Sequence, residues 1–153
     1  MIIGYTGTRY GMTDPQAHSL EKLLAAHACT VQLAIAYATG CTDRQKGIHG
    51  GCCGGDEQFH RICKKLGWEI DVLPGPEVVE APYFQDADYI YPPEKHMRRN
   101  KSIVTSASWM YGAPYEMEEQ ERGGTWRTIY MARKAKKPLT IVYPDGTFRS
   151  ENM

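Results

Sequence analysis

The sequence predicts an α/β fold, a three-layer sandwich with a mainly parallel sheet of about five strands. Two observations predict it. Short apolar runs alternate along the chain with longer segments of helical periodicity. Strands alternating with helices imply right-handed crossovers and a parallel sheet covered on both faces. A third, the length of 153 residues without repeat or low-complexity stretch, fits a single domain spanning 1–153.

The elements follow in order. Residues 2–6 read as a strand, followed by the loop Gly7-Thr8-Arg9-Tyr10-Gly11. Asp14 then Pro15 marks a helix start, with Asp14 as N-cap. Leu20, Leu23, Leu24, Ala28, Val31, Ile35 and Ala38 follow at helical spacing, as one long helix or two with a break. Val31, Leu33, Ile35 and Tyr37 also alternate as a strand would, and 39–46 reads as a polar loop. A second strand covers 47–51, and a helix begins at Asp56 and stops at Gly67. Residues 68–73 form the third strand. The segment 74–93 holds five of the nine prolines and reads as an irregular excursion, either a lid or a loop packed on the sheet edge or a second subunit. A helix over 94–105, a strand over 109–113, an acidic loop over 114–122, a helix over 125–136 and a strand over 139–143 complete the chain.

Composition narrows the function. The chain is 42% hydrophobic and carries 18 basic against 18 acidic side chains, which excludes a disordered tail and a broad basic face. No nucleic-acid partner is expected. No apolar run reaches the ~20 residues of a membrane span, and Met1-Ile2-Ile3-Gly4-Tyr5 lacks a secretory signal's features, so a cytoplasmic protein without membrane contact is expected. Cysteines 29, 41, 52, 53 and 63 are odd in number, with two adjacent, and fit no disulfide framework.

Glycine is enriched, at 15 residues, and 11 of them fall in three groups at or just beyond strand ends: Gly4, Gly7, Gly11; Gly47, Gly50, Gly51, Gly54, Gly55; and Gly112, Gly123, Gly124. In an open parallel sheet such turns share one edge, where ligands bind. Glycine lets backbone N–H groups approach, and helix N-termini favour anions. Three converging turns suggest a phosphate-bearing ligand. None is a Walker motif or a complete G-x-G-x-x-G fingerprint, so neither ATP hydrolysis nor ordinary nicotinamide chemistry is supported.

Gly4-Tyr5-Thr6-Gly7-Thr8-Arg9, His49 to Asp56 with His60, Arg99-Asn100, and Gly123-Gly124-Thr125-Trp126 with Thr128 are similar, in kind and order, to the motifs of the SLOG superfamily. That group includes LOG (lysine-decarboxylase-like) and molybdenum-cofactor-carrier proteins, and the resemblance is closest to a partly phage-associated Gly-Thr-Trp branch. It implies a Rossmann-like domain that binds a nucleotide or nucleotide-derived ligand, often as a homodimer or larger homo-oligomer. In LOG enzymes an arginine and a glutamate support hydrolysis of a nucleoside-monophosphate N-glycosidic bond. Arg99 matches the arginine, with Arg98 one residue away, but Thr128 stands at the glutamate position. A neutral hydroxyl supplies no carboxylate charge, so hydrolysis would need Asp56 or an acidic-loop residue such as Glu121.

The expected phosphate cradle is Gly7, Thr8, Arg9, Gly51, Gly54, Gly123, Gly124 and Thr125, with Arg99 and Asn100 meeting charge and Asp56 holding a ribose. Arg9 suits a bidentate phosphate clamp or a surface position; Thr125 and Asp56 suit either ligand binding or helix capping. His49, Cys52, Cys53, His60 and Cys63 lack paired C-x-x-C spacing, so no metal is expected, and no cofactor is required beyond the nucleotide-type ligand. Cys52 or Cys53 near a helix N-terminus would have a lowered pKa, but no partner base is apparent. Trp109 and Trp126 read as core or subunit contacts, Glu116, Glu118, Glu119 and Glu121 as a solvated loop, and Arg133 as a helix-terminal cation. Three functions fit: ligand binding in a sensing or signalling module, nucleoside-monophosphate hydrolysis, and carriage of a phosphate-bearing cofactor.

Overall fold

The computed structural model describes residues 1–40, 44–77 and 81–153. Its strands are β1 (Ile2–Gly7), β2 (Lys46–His49), β3 (Glu69–Val72), β4 (Tyr89–Ile90), β5 (Trp109–Ala113), β6 (Leu139–Val142) and β7 (Phe148–Glu151). Four helices connect them: α1 (Asp14–Thr39), α2 (Gly55–Lys65), α3 (His96–Ser106) and α4 (Gly124–Lys134). The sheet has seven strands rather than about five, in the order β4-β3-β2-β1-β5-β6-β7. All neighbours are parallel except β6 and β7. The two extra strands are both edges. β4 is a two-residue pairing with β3 inside the proline-rich excursion, and β7 returns through a turn closed by the Gly146 N–H to the Tyr143 carbonyl at 2.9 Å.

The chain runs outward from β1 to β4, then crosses back to place β5 on β1's other side. The strand order therefore reverses between β1 and β5, and the crevice above their carboxyl ends is where such sheets take ligands. Two cores sandwich the sheet. Ile3, Leu20, Leu24, Phe59, Ile70 and Val72 pack beneath α1 and α2. Ile48, Ile103, Met110, Trp126, Ile129 and Ile141 pack beneath α3 and α4. Gly4 lets α3 approach β1: an added Cβ would lie 2.8 Å from Ala107 Cβ.

Several expectations are corrected. Thr13, not Asp14, caps α1, because Thr13 and Gln16 form a reciprocal capping box: the Gln16 N–H donates to Thr13 Oγ1 at 3.2 Å, and the Thr13 N–H donates to Gln16 Oε1 at 3.3 Å. α1 continues unbroken to Thr39, so the alternation from 31 to 37 is not a strand; Leu33 and Tyr37 are exposed on the helix. The side chains of Val31 and Ile35, loop residues 41–43 and excursion residues 78–80 lie outside the described residues. The described part of the excursion packs on the sheet edge, burying Tyr83 and Phe84. The acidic loop is not merely solvated. Glu116 accepts the Trp126 indole N–H at 3.0 Å, and Glu119 pairs with Arg133, which also pairs with Glu151. Arg133 thus joins the loop, α4 and β7 rather than acting as a free terminal cation.

Candidate functional site

The first and third glycine turns, the Gly50–Asp56 turn and the start of α3 enclose a cavity of about 340 Å³ at the C-terminal edge of the sheet. Of the expected cradle, Gly7, Arg9, Asp56, Arg99, Asn100, Gly124 and Thr125 line it. A larger groove of about 820 Å³ lies over the β2–β4 face. It is crossed by the Lys46–Asp71 ion pair at 3.0 Å and has no glycine in its wall, whereas the smaller cavity combines glycine turns with the start of α4, so the smaller cavity is the candidate site.

Arg99 is the site's central charge. It is only 5% exposed and has no carboxylate partner among the described residues. Its Nη1 donates to the carbonyls of Gly50 at 2.6 Å and Leu73 at 3.1 Å, and its Nε donates to Asn100 Oδ1 at 2.7 Å. These bonds fix the guanidinium plane and leave Nη2 beside Cys52 Sγ (4.0 Å) and His96 Nδ1 (3.5 Å). Asn100 therefore orients the arginine as well as lining the cavity. Arg98 instead is exposed, pairs with Glu94 at 3.8 Å and lines the larger groove.

Asp56 is the cavity's one carboxylate among the described residues. It sits in the first turn of α2, and Gly54, not Asp56, is the N-cap. Its carboxylate accepts the Cys52 N–H at 3.1 Å. Burial pushes its pKa up to about 6, against the opposing pull of that N–H and of the Arg99 charge. Such a carboxyl exchanges protons near neutral pH. Its 3.9 Å approach to His49 Nδ1 is not an ion pair, because that nitrogen accepts the Gly51 N–H at 3.0 Å and burial holds His49 well below its usual pKa. His49 Nε2 must then donate to His60 Nδ1 at 2.9 Å, which occupies both His49 nitrogens and leaves the buried His60 Nε2 without a partner among the described residues. Among the described residues no three His, Cys, Asp or Glu side chains group as a metal site. Burial also pushes the Cys52 thiol up to about 11, which removes it as a thiolate nucleophile.

Thr8, Gly51, Gly54 and Gly123 have structural work instead of a place in the cavity wall. The Thr8 carbonyl accepts the N–H groups of Gly11 at 3.2 Å and Gly55 at 2.9 Å, joining the first two turns. Gly51 and Gly54 have φ of 72° and 74°, and a Cβ on either would strike Phe84 or the Arg9 carbonyl. Gly123 caps α4 with φ of 106°, so Thr125 is not the cap; it lies in the first turn, where N–H groups lack helical partners. Glu121 is exposed and outside the wall; Thr128 lines the cavity, but its hydroxyl is spent on the Gly124 carbonyl at 2.9 Å.

Sequence reasoning missed three contributors. Arg127 lines the cavity one turn into α4, and His96 flanks Arg99. Tyr5 stacks on Phe59 with its hydroxyl buried, unpartnered and under Gly7 and Gly55. A signal for Arg127 was its place soon after Gly123-Gly124; nothing local marks Tyr5 or His96.

No family model matches the chain, and no curated protein matches it. Solved structures are similar in fold. The molybdenum cofactor carrier protein of Chlamydomonas reinhardtii superposes with a TM-score of 0.59 at 18% identity, over 90% of this chain and 73% of that one. The structural-genomics target TM1055 gives 0.53 at 15% identity, over 90% and 71%. DNA processing protein A of Streptococcus pneumoniae gives 0.61 at 15% identity, over 90% of this chain but only 48% of that protein. The chain thus shares the Rossmann-like α/β fold of these solved structures. Among the described residues, no helix is long and apolar enough to cross a membrane.

Proposed function

We propose that the chain binds a nucleotide or nucleotide-derived phosphate ligand in the cavity between β1, α3 and α4, as the ligand-binding element of a sensing or signalling module. The observation that carries this reading is Arg99, a buried arginine without a carboxylate partner among the described residues, in a wall that adds Arg9 and Arg127 against the single carboxyl of Asp56. A buried unpaired charge is costly unless something compensates it. An incoming phosphate would do so, with the first N–H groups of α4 completing its hydrogen bonds.

The test is calorimetric titration of the whole chain with ribose 5-phosphate and AMP. Gly124→Asp, which adds bulk and negative charge to the cavity wall, abolishes binding of both. Arg127→Ala, which removes an exposed side chain, weakens both about tenfold or more, as loss of a charge-assisted hydrogen bond does. Unchanged affinity in Gly124→Asp sinks the cradle.

A second reading, nucleoside-monophosphate hydrolysis, draws on Asp56, whose raised pKa near 6 suits taking a proton from the water that attacks the sugar or giving one to the departing base. It requires release of free base and ribose 5-phosphate from AMP, and loss of that release in Asp56→Asn. The likeness to a molybdenum cofactor carrier raises a third reading, carriage of a phosphate-bearing cofactor, which requires the purified chain to retain a chromophore.

A further inference from the structure

At the same sheet edge as the cavity, two aromatic side chains stand in solvent against each other. Tyr10 is 79% exposed and Tyr115 is 62% exposed, with ring centroids 5.4 Å apart and planes at 61°. Exposing two large rings side by side leaves apolar area uncovered, which marks a contact surface more than a scattered hydrophobe would. Their position is fixed by the sheet. Gly7 of β1 is in register with Ala113 of β5, so Tyr10 and Tyr115 follow adjacent strand ends on the same edge as the cavity. Tyr10 directly follows Arg9, a residue of the cavity wall, and its N–H is anchored on Thr8 Oγ1 at 3.2 Å. The two tyrosine hydroxyls have no hydrogen bond that would explain the pair as a structural tie among the described residues.

We infer that Tyr10 and Tyr115 form a stacking platform for the planar heteroaromatic base of the bound ligand, while the cavity takes its phosphate and sugar. This inference rests on the phosphate-binding reading of the cavity and adds the position of the base. Rings offset at 61° leave a ring face available to a third planar group. Stacking of this kind tolerates different bases, since every base has a π-face. A single mononucleotide fits better than a polynucleotide strand: the chain's 18 basic and 18 acidic side chains give no net attraction for a string of phosphates.

The experiment compares inorganic phosphate, ribose 5-phosphate, AMP and a short oligo-dT as ligands of the whole chain, using wild type, a Tyr10→Ala/Tyr115→Ala double variant and a Tyr10→Phe/Tyr115→Phe control. Both tyrosines are exposed, so thermal melts should match across the three proteins. Wild type binds AMP more tightly than ribose 5-phosphate. The double alanine variant loses about 5- to 150-fold in AMP affinity, the range for one stacked base. It keeps its ribose 5-phosphate affinity, and the phenylalanine control keeps both. Unchanged AMP affinity in the alanine variant, with ribose 5-phosphate still bound, overturns the platform and leaves the phosphate site standing. No binding of any phosphate ligand by wild type overturns both readings. Tyrosine-dependent binding of oligo-dT without binding of AMP overturns the mononucleotide assignment in favour of single-stranded nucleic acid.

Discussion

Between β2 and α2 the chain sets Gly50, Gly51, Gly54 and Gly55 hard against neighbours, whereas between β5 and α4 it sets Gly123 and Gly124 against open space. In the first turn a Cβ would meet the Arg99 guanidinium at Gly50, the Phe84 ring at Gly51, the Arg9 carbonyl at Gly54 and the Tyr5 hydroxyl at Gly55. In the second turn, no atom of the described residues beyond the adjoining backbone lies within 4 Å of either added Cβ. Both turns sit at the C-terminal edge of the sheet, and they look alike in composition. One is glycine-rich because three segments of the protein converge there; the other is glycine-rich where Gly124 borders the cavity. Glycine density alone therefore does not mark a ligand contact. What separates the two is whether the missing side chain's volume is filled by the protein or left free.

Gly54→Ala tests the packed turn and carries the largest expected effect. Its backbone has φ of 74° and ψ of −113°, which only glycine adopts readily, and the added methyl would collide with the Arg9 carbonyl. Neither can relax without moving the first turn. The expected loss is about 3–5 kcal/mol, the combined scale of backbone strain and overpacking. Urea unfolding at constant pH measures it. A loss below about 1 kcal/mol would mean that the turn yields, and the contrast with the α4 turn would collapse.

Asp56 sharpens the contrast from the side of charge, because the packed turn encloses a carboxyl that the open turn has no counterpart for. Its folded pKa of about 6 lies above its ordinary 3.8, so the folded state holds the proton more tightly than the unfolded chain. The carboxyl's contribution to stability is therefore best below about pH 3.8 and is lost as pH rises through about 6. The difference corresponds to about 3 kcal/mol. Asp56→Asn cannot ionise, so its stability relative to wild type rises by up to about 3 kcal/mol between pH 4 and pH 8. Parallel pH–stability curves for the two proteins would show that the carboxyl is solvated in the folded state.

How much of this was legible in the sequence follows the range of the interactions. β1, β5 and β6 were readable because each is an apolar run ended by a glycine or proline turn. β4 and β7 were not, because edge strands with exposed residues carry no apolar pattern; Tyr89, Ile90 and Phe148 all face solvent. Asp14 looked like a cap by residue type, but the Gln16 side chain decides for Thr13 by bonding back to its N–H. Arg99, Gly124 and Asp56, expected from motif and position, all line the cavity. The roles of Thr8, Gly51 and Gly54 depend on Gly55, Phe84 and Arg9, contacts set only when distant segments meet. Arg127 was missed for a different reason: its place soon after Gly123-Gly124 was a signal, but in a regular helix only the fold decides that it shares a wall with Arg99.

Gly124→Ala gives the smallest effect and the cleanest reversal. Gly124 is the first residue of α4, has no left-handed φ and leaves its Cβ position free. Alanine restricts the unfolded chain and suits a helix, so the variant gains about 0.4–1 kcal/mol. The same Gly→Ala change thus stabilises one turn and destabilises the other. Chemical denaturation of the two variants side by side measures both signs. A destabilised Gly124→Ala would mean that the α4 turn is closed by the protein itself, leaving no room there for the phosphate. A stabilised one, with the Gly54→Ala loss beside it, locates the free volume at the N-terminus of α4, where the helix's unpaired N–H groups face the cavity that Arg99 supplies with charge.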